Sequence, residues 1–282
     1  MTAIASATSL PQPAPSAAAA LALRATASLS PAAIDQIRRD MALNFCKWDP
    51  QVGDTSILAP FALMLSSQEW RTLAVAAAEL DHETLALEQA LLDSPDLHRR
   101  LALPRPLRKL FAKGAKTPLT PAAARVMRFD FHPTSAGWRI SEVNSDVPGG
   151  FTEASAFTAL MQQHFPQTTT PGDPASAYAD ALAAHGKTIA LLVAPGLMDD
   201  HQIVAYLARL LQSRGVDARL AQPRQLHWRD GRAHLDTIQS TLPVDAIVRF
   251  YQAEWLAFLP RQVQWQPLFS TGRTPVANPG MV

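Results

Sequence analysis

Apolar residues recur at helical spacing through the first third of the chain, and two polar signals mark where helices begin. The pair Ser30-Pro31 is typical of an N-cap followed by the first helical residue, and it predicts a helix over residues 31–45. Ser66 and Glu69 have the spacing of a capping box and open a second helix over residues 66–92. The first part of the chain is therefore expected to be mainly helical.

The second half changes to short strands separated by turns and helices. Residues 125–131 and 138–144 flank a turn and are predicted to form a hairpin. Residues 188–193 are continuously apolar, as in a strand buried on both faces, and residues 216–220 and 244–251 supply two further strands. Because a helix separates the first two of these later strands, the order predicts an α/β fold with a parallel sheet and right-handed crossovers.

Length and composition divide the chain into a tail and two structured parts. Its 282 residues suffice for about two domains at roughly 150 residues each. Ala, Ser and Pro dominate the beginning, so residues 1–29 are expected to be a disordered tail. Residues 30–166 are predicted to form a helical region with the central β-hairpin, and residues 177–282 a Rossmann-like region. Thr, Pro and Gly between them predict a linker over residues 167–176.

Charge, hydropathy and cysteine content exclude several classes of protein. The formal charge of +1 argues against a nucleic-acid coat, and no apolar run approaches the roughly eighteen residues needed to span a bilayer. The single cysteine, Cys46, cannot form an intrachain disulfide, which fits a cytoplasmic protein, and it is expected to be a small buried apolar residue. The chain has no P-loop, no G-x-G-x-x-G after a strand, and no zinc-binding motif.

The central hairpin carries the most informative chemistry. Arg128 and Asp130 are two residues apart on the first strand, as are Glu142 and Asn144 on the second, so each pair shares a face. If the register places Arg128 opposite Glu142, all four side chains converge, whereas a slip of one residue separates them. Two carboxylates and an amide suit Mg²⁺, and an arginine beside them suits phosphate oxygens. The alternative is an ordinary surface hairpin with a cross-strand Arg–Glu pair.

A basic helical segment over residues 105–116 also stands out. It contains five basic residues, namely Arg105, Arg108, Lys109, Lys113 and Lys116. A solvated helix face is the favoured interpretation, with an anion site as the alternative.

The hairpin residues resemble the R-x-D … E-x-N signature of glutathionylspermidine synthase and related ATP-grasp amide ligases. Three other segments are similar to the pre-ATP-grasp part of that family: Lys47–Asp54, Asp199–Leu207 and Arg249–Trp255. The resemblance covers roughly residues 40–280. It implies that the Rossmann-like region is a pre-ATP-grasp region.

The resemblance also implies a reaction. In that family ATP phosphorylates the carboxylate of a small peptide, and an amine then attacks the acyl phosphate. By resemblance, Asp130, Glu142 and Asn144 would hold Mg²⁺, and Arg128 would stabilise the phosphoryl group during transfer, in keeping with the positioning and charge neutralisation that phosphoryl transfer requires.

Two further pairs of residues have both a functional and a structural interpretation. Asp199 and Asp200 correspond in the resemblance to acids that receive the amine, but acids at a helix N-terminus are also ordinary caps. Gly149 and Gly150 would let backbone N–H groups approach a substrate carboxylate, or would simply permit a turn with positive φ. For both pairs the structural interpretation is favoured.

The end of the chain departs from the family pattern. In relatives, the bulk of the ATP-grasp domain and the lysines that hold the ATP phosphates follow such a segment, whereas no lysine here follows Lys187. We therefore expect an N-terminal part of a ligase that is inactive alone. The alternatives are a non-catalytic binding or scaffold protein, and a protein completed by a separate chain. In that last case residues 263–282 would be the interface, through Trp265, Leu268, Phe269 and Val276.

Overall fold

The computed structural model describes residues 23–114 and 119–279. The helices in these ranges are α1 (Pro31–Asn44), α2 (Ser67–Asp93), α3 (Pro95–Arg100), α4 (Arg105–Gly114), α5 (Thr158–His164), α6 (Pro174–Ala183), α7 (Met198–Gln212) and α8 (Ala253–Leu256). The strands are β1 (Arg24–Ala25), β2 (Gln51–Val52), β3 (Thr55–Ser56), β4 (Leu63–Met64), β5 (Ala122–Ala124), β6 (Arg128–Thr134), β7 (Gly137–Asn144), β8 (Thr188–Val193), β9 (Asp217–Ala221), β10 (Leu226–Arg229), β11 (Arg232–Asp236), β12 (Thr241–Pro243), β13 (Ala246–Phe250) and β14 (Val276–Ala277).

A five-stranded parallel sheet organises the second half of the chain. Its strand order is β5-β14-β13-β8-β9, and every neighbouring pair is parallel. Every residue of β13 is buried, as is every residue of β8 after Thr188, in line with the apolar pattern of strands covered on both faces. The α/β fold with a parallel sheet is therefore confirmed.

The helices of the first region begin where their polar signals place them. Ser30 caps α1, because its side chain accepts a hydrogen bond from the backbone N–H of Ala33 at 3.2 Å. Ser66 and Glu69 form the capping box of α2, and the backbone N–H of Glu69 donates to Ser66 Oγ at 3.1 Å. Both predicted helix starts are confirmed.

One hydrophobic core joins the two regions. Met41 of α1 and Phe151 pack in the same cluster as Leu182 of α6, Leu191 of β8 and Leu207 of α7. The first region also contributes β5 to the edge of the parallel sheet. The predicted linker at residues 167–176 therefore does not separate two independent cores, and α6 already begins at its end.

The ordered structure begins before residue 30. Arg24 and Ala25 pair with Met64 and Leu63 in a short antiparallel ladder. The prediction of a disordered tail is therefore wrong for Arg24 and Ala25. Residues 1–22 lie outside the described part of the chain. Cys46 is 4% exposed, which confirms the expected burial.

The segment that was expected to be an exposed interface is part of the core. Trp265, Leu268, Phe269 and Val276 are all less than 5% exposed and pack in a second cluster on the other face of the sheet. Strand β14 lies between β5 and β13. These side chains stabilise this chain and present no apolar surface to a partner, so this interface prediction is wrong. Within the described residues, no helix has both the length and the apolar character needed to cross a membrane.

Candidate functional site

The hairpin of β6 and β7 brings the four predicted site residues to one face. Arg128 pairs with Asn144, and Asp130 pairs with Glu142. Paired residues of an antiparallel ladder point to the same side, and residues two apart on a strand share a face. The predicted convergence is therefore observed.

The register, which the sequence left open, differs by two residues from a pairing of Arg128 with Glu142. Asp130 lies opposite Glu142 instead of opposite Ile140, and a β-bulge follows at once, because Phe131 pairs with Ile140 and leaves Ser141 as the extra residue. Ser141 Oγ donates to the backbone carbonyl of Asp130 at 3.1 Å. A shift of two preserves the face of every side chain, and the bulge lies beyond the two functional pairs.

Arg128 and Asp130 form a two-pronged ion pair. Arg128 Nε and Nη2 donate to the two carboxylate oxygens of Asp130 at 2.8 and 3.1 Å. This contact lowers the pKa of Asp130 below its usual value and raises that of Arg128, and the charges of Glu142 and Glu153 also raise the pKa of Arg128. Both side chains are partly exposed, at 42% and 31%. In the free protein, Arg128 therefore occupies the oxygens that a metal ion would use.

The donor set fits Mg²⁺ in composition. Asn144 Nδ2 is buried and has no hydrogen-bond partner among the described residues, so no such bond holds the amide in its present orientation. Mg²⁺ usually takes one or two carboxylates and completes its shell with water and phosphate oxygens. Within residues 23–114 and 119–279, no group of three or more His, Cys, Asp or Glu side chains could hold a metal ion. The hairpin offers two carboxylates and one amide, which is fewer than three such side chains.

The loop after β7 packs directly against Arg128. A side chain at Gly149 would meet Ile203 Cδ1 at 3.2 Å and Arg128 Nη1 at 3.6 Å. Gly150 has φ +89°, a conformation that only glycine adopts without strain. The interpretation as a turn with positive φ is therefore confirmed for Gly150 but not for Gly149, whose missing side chain instead leaves room for Ile203 of α7.

Asp199 and Asp200 lie in the first turn of α7, but neither caps it. The N-cap position is Leu197, and no side chain makes a capping hydrogen bond. Asp199 Oδ1 accepts a hydrogen bond from Gln202 Nε2 at 3.1 Å, whereas Asp200 Oδ2 is buried without a partner in the described chain. Neither acid therefore acts as a side-chain cap, but both occupy the first turn, where the helix dipole favours negative charge.

Asp200 sits in an environment that disfavours its charge. Burial raises the pKa of its carboxyl group, the negative charge of Asp199 adds to the shift, and the side chain of Gln252 opposes it. A carboxyl group with a raised pKa in the folded state reduces stability at every pH where it must ionise.

We expect Asp200→Asn to raise the melting temperature at pH 7. Protonation of Asp200 removes the penalty, so this gain should shrink as the pH falls through the raised pKa and vanish below the unfolded-state value near 4. Asp180→Asn is the matched contrast: Arg214 lowers the pKa of Asp180, so this change should lower the melting temperature at pH 7. Thermal scans between pH 3 and 7 test both signs, and an equal Asp200→Asn gain at pH 3 and 7 would contradict the assignment.

Sequence reasoning missed two charged residues beside the hairpin. Lys47 is only 7% exposed, and its Nζ lies 2.8 Å from Glu153 Oε1. Glu153 begins a π-helical segment (Glu153–Phe157), and its charge reaches Arg128. π-Helical turns occur frequently at functional sites. The only sequence signal for Lys47 was its position in the segment 47–54 that resembles the ligase family.

Comparison with known proteins adds no identification. No protein-family model matches the sequence, and no curated protein matches it.

Proposed function

We propose that this chain carries the metal- and phosphate-binding hairpin of an ATP-dependent carboxylate–amine ligase that resembles glutathionylspermidine synthase. One observation carries the proposal: Arg128, Asp130, Glu142 and Asn144 share one face of a single hairpin. The chemistry that these groups support is activation of a carboxylate by ATP and capture by an amine. We place this site in the cytoplasm, because the single cysteine, Cys46, is buried and free, as is common in a reducing compartment.

The hairpin residues would take up ATP phosphates by exchanging partners. A partly exposed Arg–Asp pair contributes only about 0–1 kcal/mol, so separating Arg128 from Asp130 costs little. Asp130, Glu142 and Asn144 would then hold Mg²⁺, which when bound would neutralise negative charge on the phosphates. Arg128 would turn toward the phosphoryl oxygens, which its planar guanidinium matches in two-pronged geometry.

Helix α7 is the structural support for an amine site. Ile203 of α7 approaches Gly149, which in turn lies beside Arg128. Asp199 and Asp200 lie one turn before Ile203 on the same helix. A half-buried carboxylate with one buried, unpartnered oxygen, such as that of Asp200, is suited to receive a cationic amine. The proposed substrates are therefore a small peptide or other carboxylate and an amine, with a separate chain as the proposed source of further ATP contacts.

The first test is metal binding by the purified chain, measured with Mn²⁺ by electron paramagnetic resonance. We expect Asp130→Asn and Glu142→Gln each to weaken Mn²⁺ binding by about tenfold or more, because each removes an ionised ligand. Arg128→Gln should instead tighten Mn²⁺ binding, because it releases the Asp130 carboxylate and removes a positive charge. Tighter Mn²⁺ binding by Arg128→Gln is expected only if Arg128 competes with the metal for Asp130.

Strand β9 offers a matched control. Arg219 Nε and Nη2 bind the carboxylate of Asp217 at 2.6 and 2.9 Å, two residues apart, as in the Arg128–Asp130 pair. Asp217→Asn and Arg219→Gln should leave Mn²⁺ binding unchanged. Equal Mn²⁺ affinity in wild type, Asp130→Asn and Glu142→Gln would contradict the proposed metal site.

A non-catalytic binding or scaffold role is the second candidate. The ion pair between Arg128 and Asp130 favours this role, because Arg128 already occupies the carboxylate oxygens of Asp130 in the free protein. A protein of this kind would bind a peptide or polyamine with the same affinity with and without Mg²⁺ and ATP. The ligase proposal predicts that Mg²⁺ and ATP raise the affinity for the carboxylate substrate.

A further inference from the structure

A wide groove lies away from the hairpin, between helix α4 and the segment that precedes β14. Its volume is about 930 Å³. Its walls are formed by residues of α4 and by side chains between positions 261 and 271, among them Arg105, Lys109, Arg261, Gln266, Ser270 and Thr271. None of the hairpin residues lines it. Ligand sites for small molecules commonly have volumes of roughly 300–1,000 Å³, so the groove is large enough for a nucleotide-sized ligand.

Three positive charges surround this groove without compensation. Arg105, Lys109 and Arg261 make no ion pair or side-chain hydrogen bond within residues 23–114 and 119–279, and no described carboxylate lines the groove. Many arginines elsewhere in these ranges do have a carboxylate partner: Arg38, Arg99, Arg125, Arg128, Arg214, Arg219 and Arg249. What sets the groove apart is that three such cations line one concave surface together.

Helix α4 adds to the positive potential. Arg105 is its first residue, and no acidic residue lies in its first turn. The N-terminus of a helix carries a partial positive charge, so an arginine there is electrostatically unfavourable. Arg108 on the same helix adds a further cation, and its Nε is buried without a described partner. This repulsion would be relieved by a bound anion, and a site that lowers stability for the sake of a ligand is typical of function.

We propose that this groove binds a small ligand that carries two or more phosphate groups. Two guanidinium groups and an ammonium group would contact the phosphate oxygens, and arginine matches phosphate in two-pronged geometry. Gln266, Ser270 and Thr271 add neutral hydrogen-bond donors along the wall. A concave site and a net charge of only +1 favour a small polyanion over a nucleic acid, which needs an extended basic surface. The interpretation of the basic helix as an anion site thus gains a further cation, Arg261, and a concave groove of suitable size.

Calorimetry with inorganic tripolyphosphate, in low-salt buffer with EDTA, tests the groove without involving a divalent metal. We expect saturable binding that weakens with added KCl, because ions screen such contacts within about 10 Å at 0.1 M. Arg105→Gln/Lys109→Gln and Arg261→Gln should each weaken tripolyphosphate binding by about tenfold or more. The double variant should also match or exceed the melting temperature of the free wild type, because it removes repulsion.

Control variants and competitors separate the possible sources of binding. Arg71→Gln/Arg232→Gln removes two exposed cations elsewhere, and this variant should bind tripolyphosphate as wild type does. Tighter binding of ATP than of tripolyphosphate would identify a nucleotide, and equal binding an inorganic polyphosphate; either supports the shared chemistry. Absence of binding, equal weakening by the Arg71/Arg232 control, or single-stranded DNA that binds more tightly than either phosphate would overturn the proposal.

Discussion

Replacing Arg249 by alanine should destabilise the protein by about 3–5 kcal/mol, the cost of breaking a buried ion pair from one side. Arg249 lies on β13, the central strand of the parallel sheet, and its side chain is fully buried. It pairs with Asp146, donates to the carbonyls of Tyr251 at 2.8 Å and Asn278 at 2.7 Å, and lies over the ring of Phe269. Alanine would leave both carbonyls and the carboxylate without this donor.

Urea denaturation of Arg249→Ala measures this loss directly. Arg219→Ala on strand β9, at the edge of the same sheet, is the control, because its pair with Asp217 is exposed and should contribute at most about 1 kcal/mol. Arg249→Lys should fall between wild type and alanine, since it retains the charge but cannot reach several acceptors at once. An Arg249→Ala protein within about 1 kcal/mol of wild type would show that the network does not hold the sheet to the hairpin loop.

Asn278→Ala is expected to have the second large effect, about 3 kcal/mol, because it leaves several buried backbone groups without partners. Asn278 Oδ1 accepts from the backbone N–H of Val126 at 2.8 Å. Its Nδ2 donates toward the carbonyls of Val126, Ser145 and Asp146 at 2.9, 3.2 and 3.1 Å. One side chain therefore holds the chain on both sides of the hairpin, just before β6 and just after β7.

Asn278→Gly separates hydrogen bonding from backbone strain. Asn278 has φ +50°, which glycine adopts more easily than alanine. If the hydrogen bonds dominate, glycine should recover less than about 1 kcal/mol of the loss. Both variants should also weaken Mn²⁺ binding at the hairpin, although neither touches its ligands. Full stability of Asn278→Gly would instead assign the role of Asn278 to conformation alone.

These two residues connect the fold to the proposed chemistry. Arg249 lies near the carboxyl end of β13, and Asn278 follows β14 directly. The carboxyl ends of parallel strands are where open α/β sheets bind ligands. Asp146 joins the two, since it pairs with Arg249, offers its carbonyl to Asn278 and accepts a hydrogen bond from the backbone N–H of Ala253. These contacts attach the hairpin to the carboxyl ends of β13 and β14. The proposed phosphate site would need such fixed positioning.

The two proposals differ in what a ligand would change. At the hairpin, a phosphate-bound metal would replace the Arg128–Asp130 ion pair, so the charges of these two residues already balance each other in the free protein. In the groove, an anion would meet cations that have no described partner. Anions alone should therefore raise the melting temperature through the groove, and binding at the hairpin should need a divalent metal.

Local pattern in the sequence determined the helix starts, the parallel sheet and the common face within each pair of hairpin residues. The Ser30 cap and the Ser66–Glu69 capping box act over three residues, and the period of two along a strand follows from backbone geometry. The hairpin register, which the sequence left open, then decided that the two pairs meet on one face, with Asp130 opposite Glu142.

Contacts between distant parts of the chain were decided only by the tertiary structure. Asn278 and Val126 are 152 residues apart, and nothing local marks that asparagine as the anchor of the hairpin. Burial of Trp265 and Phe269, which the sequence suggested as an interface, depends on the parallel sheet placing them on its second core. The pairing of Arg128 with Asp130 and the position of Arg261 opposite α4 likewise depend on side-chain direction and chain topology. Pattern reports which face a residue occupies, but only packing decides what lies against that face.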